Sequence, residues 1–292
     1  MAAGPPRGRP RAARQLSSVR RPGSRRRARH LRELVRSVPV WFHSIDLGDG
    51  VITPGRKGGG LDYMKRELDA LRLPDLEGKS VLDIGAWDGF YSFQAERLGA
   101  SRVVALDDYA WSVDFGAETR PAAAAPVRAD VPERFRDAPH MWAPERLPGK
   151  RGFDVAHQAL GSEIEAVVAN FMEMELDALG TFDVVLYLGV LYHMEDPLRA
   201  LRRVAAVTRE MAVVETAGVR AAGLEDRALC EFFESDELEG DPSNWWAPNA
   251  RALAGLCRAA GFRRAEVVEP LESAGATPEG VQRGRLVAHA WR

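Results

Sequence analysis

No other part of this chain restricts its fold as much as Val81-Leu82-Asp83-Ile84-Gly85-Ala86-Trp87-Asp88-Gly89-Phe90. A short apolar run of strand length ends at Gly85. Helical spacing begins after Gly89, with Phe90, Phe93 and Leu98 on one side and Gly99 as the stop. A strand that passes through a two-glycine turn into a helix is the opening unit of a layered α/β fold. Gly85 allows a sharp turn and leaves no Cβ in the way of a ligand. A small molecule is therefore expected at the carboxyl end of the first strand, where open α/β sheets bind their ligands.

The alternation continues along the chain. Residues 102–106 read as a second strand, 166–169 as a third, 182–188 as a fourth and 211–215 as a fifth. Asp196 and Pro197 supply the N-cap and first-turn proline of a helix bearing Leu198, Leu201 and Val204. Asn249 caps another, with Leu253, Leu256 and Ala260 inward and Gly261 as its stop. Residues 265–268 and 285–290 are expected to pair as a hairpin. Ahead of the sheet, residues 38–79 read as a cap segment, with Leu61, Met64, Leu68 and Leu71 at helical spacing and Pro74 at the end. Residues 108–150 break the rhythm. A connection this long more often covers a site than fills space, so it is read as a lid carrying Trp111, Phe115, Trp142 and an alanine run at 122–125. A helix over 153–160 follows it.

Charge divides the chain unevenly. Residues 1–37 hold twelve arginines, no lysine and a single acid, Glu33, interspersed with Pro5, Pro6, Pro10 and Pro22. Too few apolar residues occur there to offset ordering entropy, so the segment is expected to be disordered. It reads as a solvated tail, as an RNA- or phosphate-attracting arm, or as the product of translation starting upstream of the natural start. The remaining residues carry 28 basic against 41 acidic side chains, which makes them a poor generic binder of nucleic acid. No stretch of about 18 apolar residues occurs, so no membrane span is expected. With no apolar core of a secretory signal, a cytoplasmic location is expected. Cys230 and Cys257 are too few for a disulfide framework or a zinc site; both read as small buried hydrophobes, and no metal is expected.

Three ligands suit a glycine turn of this kind. A dinucleotide wants Gly-x-Gly-x-x-Gly, but Trp87 stands where the middle glycine would let the pyrophosphate approach. A Walker loop needs Gly-Lys-Ser or Gly-Lys-Thr, and neither is present. S-adenosylmethionine (SAM) has no phosphate and offers an ammonium group, for which Asp83 is the acceptor. Asp107, at the end of the second strand about twenty residues after the turn, suits two ribose hydroxyls. Gly85, Trp87 and Gly89 complete the cofactor turn. Asn170, after the third strand, can accept a hydrogen bond from the adenine amino group through its amide oxygen. Phe171 can pack on the adenine face or in the core, as can Met172.

At this point Asp83-Ile84-Gly85-Ala86-Trp87-Asp88-Gly89 resembles motif I of the class I SAM-dependent methyltransferases. Leu188-Gly189-Val190-Leu191-Tyr192-His193-Met194-Glu195-Asp196-Pro197-Leu198 resembles the family of the tRNA wobble-uridine carboxymethyltransferase and its relatives. Pro242-Ser243-Asn244-Trp245-Trp246-Ala247-Pro248-Asn249 is similar to that family's later loop. The resemblance runs from about Trp41 to the C terminus. It implies a Rossmann-like α/β fold over residues 80–292, a mostly parallel seven-stranded sheet with an antiparallel C-terminal hairpin. It also implies Gly189 and Tyr192 at the cofactor, and basic side chains, Lys65 and Arg285, where that family holds the extra carboxylate of carboxy-SAM. The family's earlier lysine lies in an Arg-Lys-Gly-Pro segment; Arg56-Lys57-Gly58 has similar letters but lies much nearer motif I. Ordinary SAM is therefore the expected cofactor and carboxy-SAM the alternative.

His193 is the first candidate for a general base and His43 the second, since imidazole titrates near neutrality. Asp88 can also serve as the base or cap the helix. Trp245 and Trp246 are read as walls of an acceptor pocket, Asn244 as an orienting amide, and Glu215 as an alternative acid. The expected activity is methyl transfer to a small-molecule acceptor, a hydroxyl of a sugar or natural product. The alternatives are a tRNA wobble-uridine modifying enzyme docked through the arginine tail and a non-catalytic SAM-binding regulator.

Overall fold

Successive side chains of the central strands join two different cores in turn, which assigns one set to each face of a single sheet buried on both sides. The computed structural model describes residues 24–117, 131–271 and 280–292. The main strands are β1 (Ser80–Ile84), β2 (Arg102–Asp107), β3 (Glu165–Val168), β4 (Phe182–Leu188) and β5 (Thr208–Ala221). β6 (Cys230–Phe232) and β7 (Trp246–Pro248) form a separate antiparallel pair, followed by β8 (Arg264–Leu271) and β9 (Val281–Trp291). The sheet order is β3-β2-β1-β4-β5-β9-β8. β3 to β5 pair in parallel, and β9 lies antiparallel to both β5 and β8. The expected sheet and its C-terminal hairpin both form.

Val81, Val103, Ala105, Val184, Leu186, Met211, Val213 and Val287 pack on one face against the cap side of the molecule. Leu82, Ile84, Val104, Leu106, Val185, Tyr187, Ala212 and Val214 pack on the other. The cap side carries α1 (Ser24–Arg36), α2 (Gly60–Leu71) and α3 (Phe90–Arg97), and the short α4 (Tyr109–Ser112) and α5 (Arg151–Leu160) follow. α6 (Leu176–Leu179), α7 (Pro197–Val207) and α8 (Ala250–Ala259) lie toward the second face. The two predicted caps are in place: the Asp196 side chain accepts from Arg199 N at 2.9 Å, and Asn249 Oδ1 accepts from Ala252 N at 2.9 Å.

Three expectations are corrected. Residues 24–36 are helical, with Ala28 and Leu31 buried and Leu34 and Val35 packed against the core. Their spacing puts the apolar residues on one face, so arginine content concealed an amphipathic helix. Residues 1–23 lie outside the described residues. The segment 108–150 is a folded insert wherever it is described. Val113, Val131 and Phe135 form a small core of their own, flanked by Phe115, Met141 and Trp142. The alanine run at 122–125 lies outside the described residues. Cys230 is exposed, because β6 belongs to the small peripheral sheet; Cys257 is buried as expected. No helix among the described residues is long and apolar enough to cross a membrane.

Candidate active site

The parity that sorts the core also sorts the charges. Asp83, Asp107, Glu215 and Arg285 occupy the same parity as their strands' cap-side apolar residues, so all four gather on one face near the carboxyl edge of the parallel strands. β1 ends in a turn held by Leu106 O, which accepts from Gly85 N at 2.8 Å and Ala86 N at 3.2 Å. Gly85 has φ +81°, and a Cβ there would lie 2.5 Å from Val190 Cγ2. The glycine thus lets the turns after β1 and β4 meet.

Asp83 lies on β1 with Ser92 Oγ of α3 donating to its Oδ2 at 2.5 Å. Burial pushes its carboxyl up to about 7, with the hydroxyl working the other way. Asp107 binds two backbone amides, Trp87 N at 2.9 Å and Ala110 N at 3.0 Å, and burial pushes it up to about 6. It thereby clamps the turn after β1 to the segment after β2. Trp87 is held at φ +48°, its carbonyl accepting from Trp111 Nε1 at 2.6 Å. Its ring stacks on Phe42 at 4.1 Å and Phe115 at 5.3 Å.

A second polar group lies around Gly189. A Cβ at that glycine would sit 3.8 Å from both Arg285 and Tyr192 Oη and 3.9 Å from Glu215. Arg285 is bidentate to Glu215, with Nη2 to Oε2 at 2.8 Å, and its guanidinium lies 4.6 Å over the Tyr192 ring. Burial opposes the charge on Glu215, but Arg285 holds the carboxyl below its ordinary range. Burial, with Glu67 and Glu215 nearby, keeps the Tyr91 phenol protonated well above its ordinary value. Tyr91 Oη donates to Glu67 at 3.2 Å, and Lys57 Nζ lies 2.8 Å from the same carboxylate oxygen.

Both candidate histidines are anchored through Nδ1. His43 is buried, its Nδ1 bonded to Asp88 Oδ1, while Asp88 Oδ2 accepts from the amides of Phe42 and His43 at 2.9 and 2.8 Å. Asp88 therefore does not cap α3, whose N-cap position is Gly89 with no side-chain bond. His193 Nδ1 lies 3.1 Å from both the carbonyl oxygen and the hydroxyl of Ser243. Burial lowers its imidazole to about 4.

The remaining candidates are placed as follows. Lys65 is exposed on the outer side of α2, and the lysine brought to the polar group is Lys57. Asn170 is exposed, with its Oδ1 accepting from Met172 N at 2.9 Å. Phe171 packs in the second core against Tyr187. Trp245 N donates to Tyr192 O at 2.8 Å, and Trp246 lies on β7 against Phe232. Trp246 also lines an apolar cavity of about 130 Å³ shared with Tyr192, Thr216 and Leu256. Asn244 is buried with its Nδ2 donating to Leu238 O at 2.8 Å and, among the described residues, no donor to its Oδ1. Ser92, Glu67, Tyr91, Asp241 and Arg134 were not legible in the sequence as contributors, because no motif marks them: Ser92 meets Asp83 across the turn after β1, Tyr91 meets Glu67 of α2, and Asp241 and Arg134 come near His193 only through the fold.

Known proteins resemble this chain in sequence and in fold. A family model described as a methyltransferase domain matches residues 60–267. The tRNA U34 carboxymethyltransferase of Campylobacter hominis is 28% identical over 210 residues, 72% of this chain and 58% of that protein. The one from Chromohalobacter salexigens is 25% identical over 231 residues, 75% of this chain and again 58% of the relative. The match thus spans little more than half the length of these curated relatives. Among solved structures, the N-terminal domain of EvdMO1, crystallised in the presence of SAH and D-fucose, is similar in fold with a TM-score of 0.55. The match has 19% identity and covers 92% of this chain and 97% of that one.

Proposed function

The chain belongs to the methyltransferase-domain family, and from that premise we propose that it methylates a hydroxyl of an uncharged, sugar-like small molecule, with SAM as the donor. One observation carries the choice of donor and acceptor. Arg285 and Lys57, the cations brought to the polar group around Gly189, already hold carboxylates of the chain itself, Glu215 and Glu67. The extra carboxylate of carboxy-SAM, or a phosphate-bearing acceptor, would have to displace one of them at the cost of leaving a buried carboxylate unpaired. The fold shared with a domain crystallised beside SAH and a deoxysugar supports the same reading.

The residues fit SAM by their chemistry. Asp83 is a buried acid with a raised pKa that accepts from the Ser92 hydroxyl, suited to an ammonium group. Asp107 and Gly85 shape the turn beside it. When bound, SAM would supply an electrophilic methyl group to the acceptor oxygen, with its sulfonium sulfur keeping the electron pair of the broken C–S bond. The protein aligns the acceptor and excludes water, and a base takes the hydroxyl proton. His193 is assigned that role from its place beside Tyr192 in the helical turn that follows β4. One observation favours His43 as the alternative: Asp88 is bonded to its Nδ1.

A second reading, modification of a tRNA wobble uridine, is favoured by the curated relatives and opposed by the acidity of residues 38–292. Mass spectrometry of the ligand retained by the purified protein, followed by methyl transfer from SAM to a panel of neutral sugars and to tRNA, tests the proposal. Retained SAM or its demethylated product, with transfer to a neutral hydroxyl, is expected. Retained carboxy-SAM with transfer to tRNA alone would overturn it, and cofactor binding without transfer to any acceptor would indicate a regulator.

A further inference from the structure

The folded insert reaches the candidate base through a chain of polar contacts. Ser243 Oγ donates to Asp241 Oδ1 at 2.7 Å, and Ser243 N donates to the same oxygen at 2.9 Å. Arg134, from the insert, donates to Asp241 Oδ2 at 2.9 Å and to Ser243 Oγ at 3.2 Å. The Ser243 carbonyl can only accept, so the His193 nitrogen facing it, Nδ1, carries the proton. The hydroxyl proton is committed to Asp241, which leaves an Oγ lone pair for the same Nδ1–H. His193 Nε2 is then the unprotonated nitrogen. The charges acting on the imidazole are Asp241, which favours its protonation, and Arg285 and Arg134, which oppose it; the Tyr192 ring lies 4.2 Å away.

We propose that Asp241, acting through Ser243, is a positioning residue that fixes His193 with Nε2 as the proton acceptor, and that Arg134, through its contacts with Asp241 and Ser243, tempers Asp241. This deepens the assignment of His193 as base and rests on it. Without Arg134, the Asp241 carboxylate acts on His193 unopposed, and the imidazole binds a proton more readily. Without the Asp241 charge, Arg285 and Arg134 act alone, and protonation becomes harder. A loop merely loosened by substitution would hydrate His193 and make protonation easier in both cases.

The test is a nitrogen-15 NMR titration of His193 in the full chain, comparing the unsubstituted protein with Arg134→Gln and Asp241→Asn. The proton is expected on Nδ1 in the unsubstituted protein. The His193 midpoint is expected to rise by about one pH unit in Arg134→Gln and to fall in Asp241→Asn. A neutral form protonated on Nε2, midpoints that move the same way in both variants, or midpoints that stay put would each overturn the proposal. SAM affinity, measured separately by calorimetry, tests the methyltransferase reading independently: its loss in the unsubstituted protein would remove that reading and leave the ring geometry to be judged by the spectra.

Discussion

Asp83 is a carboxylate whose environment has prepared it for a cation. Its pKa of about 7, against an ordinary 3.8, means that part of the ligand-free population is protonated at neutral pH. The ammonium of SAM favours the ionised form, so binding at lower pH must expel a proton. Calorimetry should therefore show SAM affinity falling by about tenfold from pH 8 to pH 6, with Asp83→Asn binding at least tenfold more weakly at pH 8 and showing a flatter pH profile. Stability of the ligand-free protein runs the other way. Because the folded pKa is raised, Asp83's contribution is fully present below about pH 4 and is lost as pH rises through 7. Chemical denaturation between pH 5 and pH 8 should show that slope, and Asp83→Asn should lose it. Glu215 makes a different demand. Replacing it with Gln leaves Arg285 without its carboxylate, so Glu215→Gln should narrow the preference for SAM over carboxy-SAM by tenfold or more in competitive binding. An unchanged ratio would remove Glu215 as the discriminating group.

The helix α1 joins the cap to the body of the protein. Leu31 is buried, and Arg27 donates to Ala159 O of α5 at 2.8 Å and pairs with Asp49 at 2.7 Å. Leu31→Ala should cost about 2–5 kcal/mol in denaturant unfolding, the usual range for emptying a buried leucine site. Truncation after residue 37 should lower Tm for the same reason, whereas truncation after residue 23 leaves α1 and its contacts intact. Strands and helices that alternate with clear periodicity were legible in the sequence: β4 begins and ends at the expected residues, and both predicted caps form. α1 was not, because twelve arginines in 37 residues dominated a pattern whose four apolar positions lie on one face. The extension of β5 to 14 residues was also hidden. Its second half is stabilised by pairing with β9, which is about seventy residues away in sequence.

Charge taken over the entire chain bears on the acceptor. The N-terminal 37 residues are strongly basic and the remainder is acidic, with 28 bases against 41 acids. If tRNA were the acceptor, removal of residues 1–23, with six arginines, should weaken its binding and flatten the salt dependence. For a neutral small-molecule acceptor, the same truncation should leave kcat/KM and its salt response unchanged. Steady-state assays from low to moderate salt separate these outcomes. The amino-acid order alone specified a glycine turn between a strand and a helix, the parity of each buried strand and the acids at their ends, because these depend on contacts a few residues apart. Folding set the occupancy of those groups. It paired Arg285 with Glu215, His43 with Asp88 and His193 with Ser243, and it left Lys65 in solvent while Lys57 turned inward. Those pairings join residues from 45 to 70 positions apart, and a hydrogen bond or ion pair at such separation exists only once the sheet has brought its strand ends and loops together.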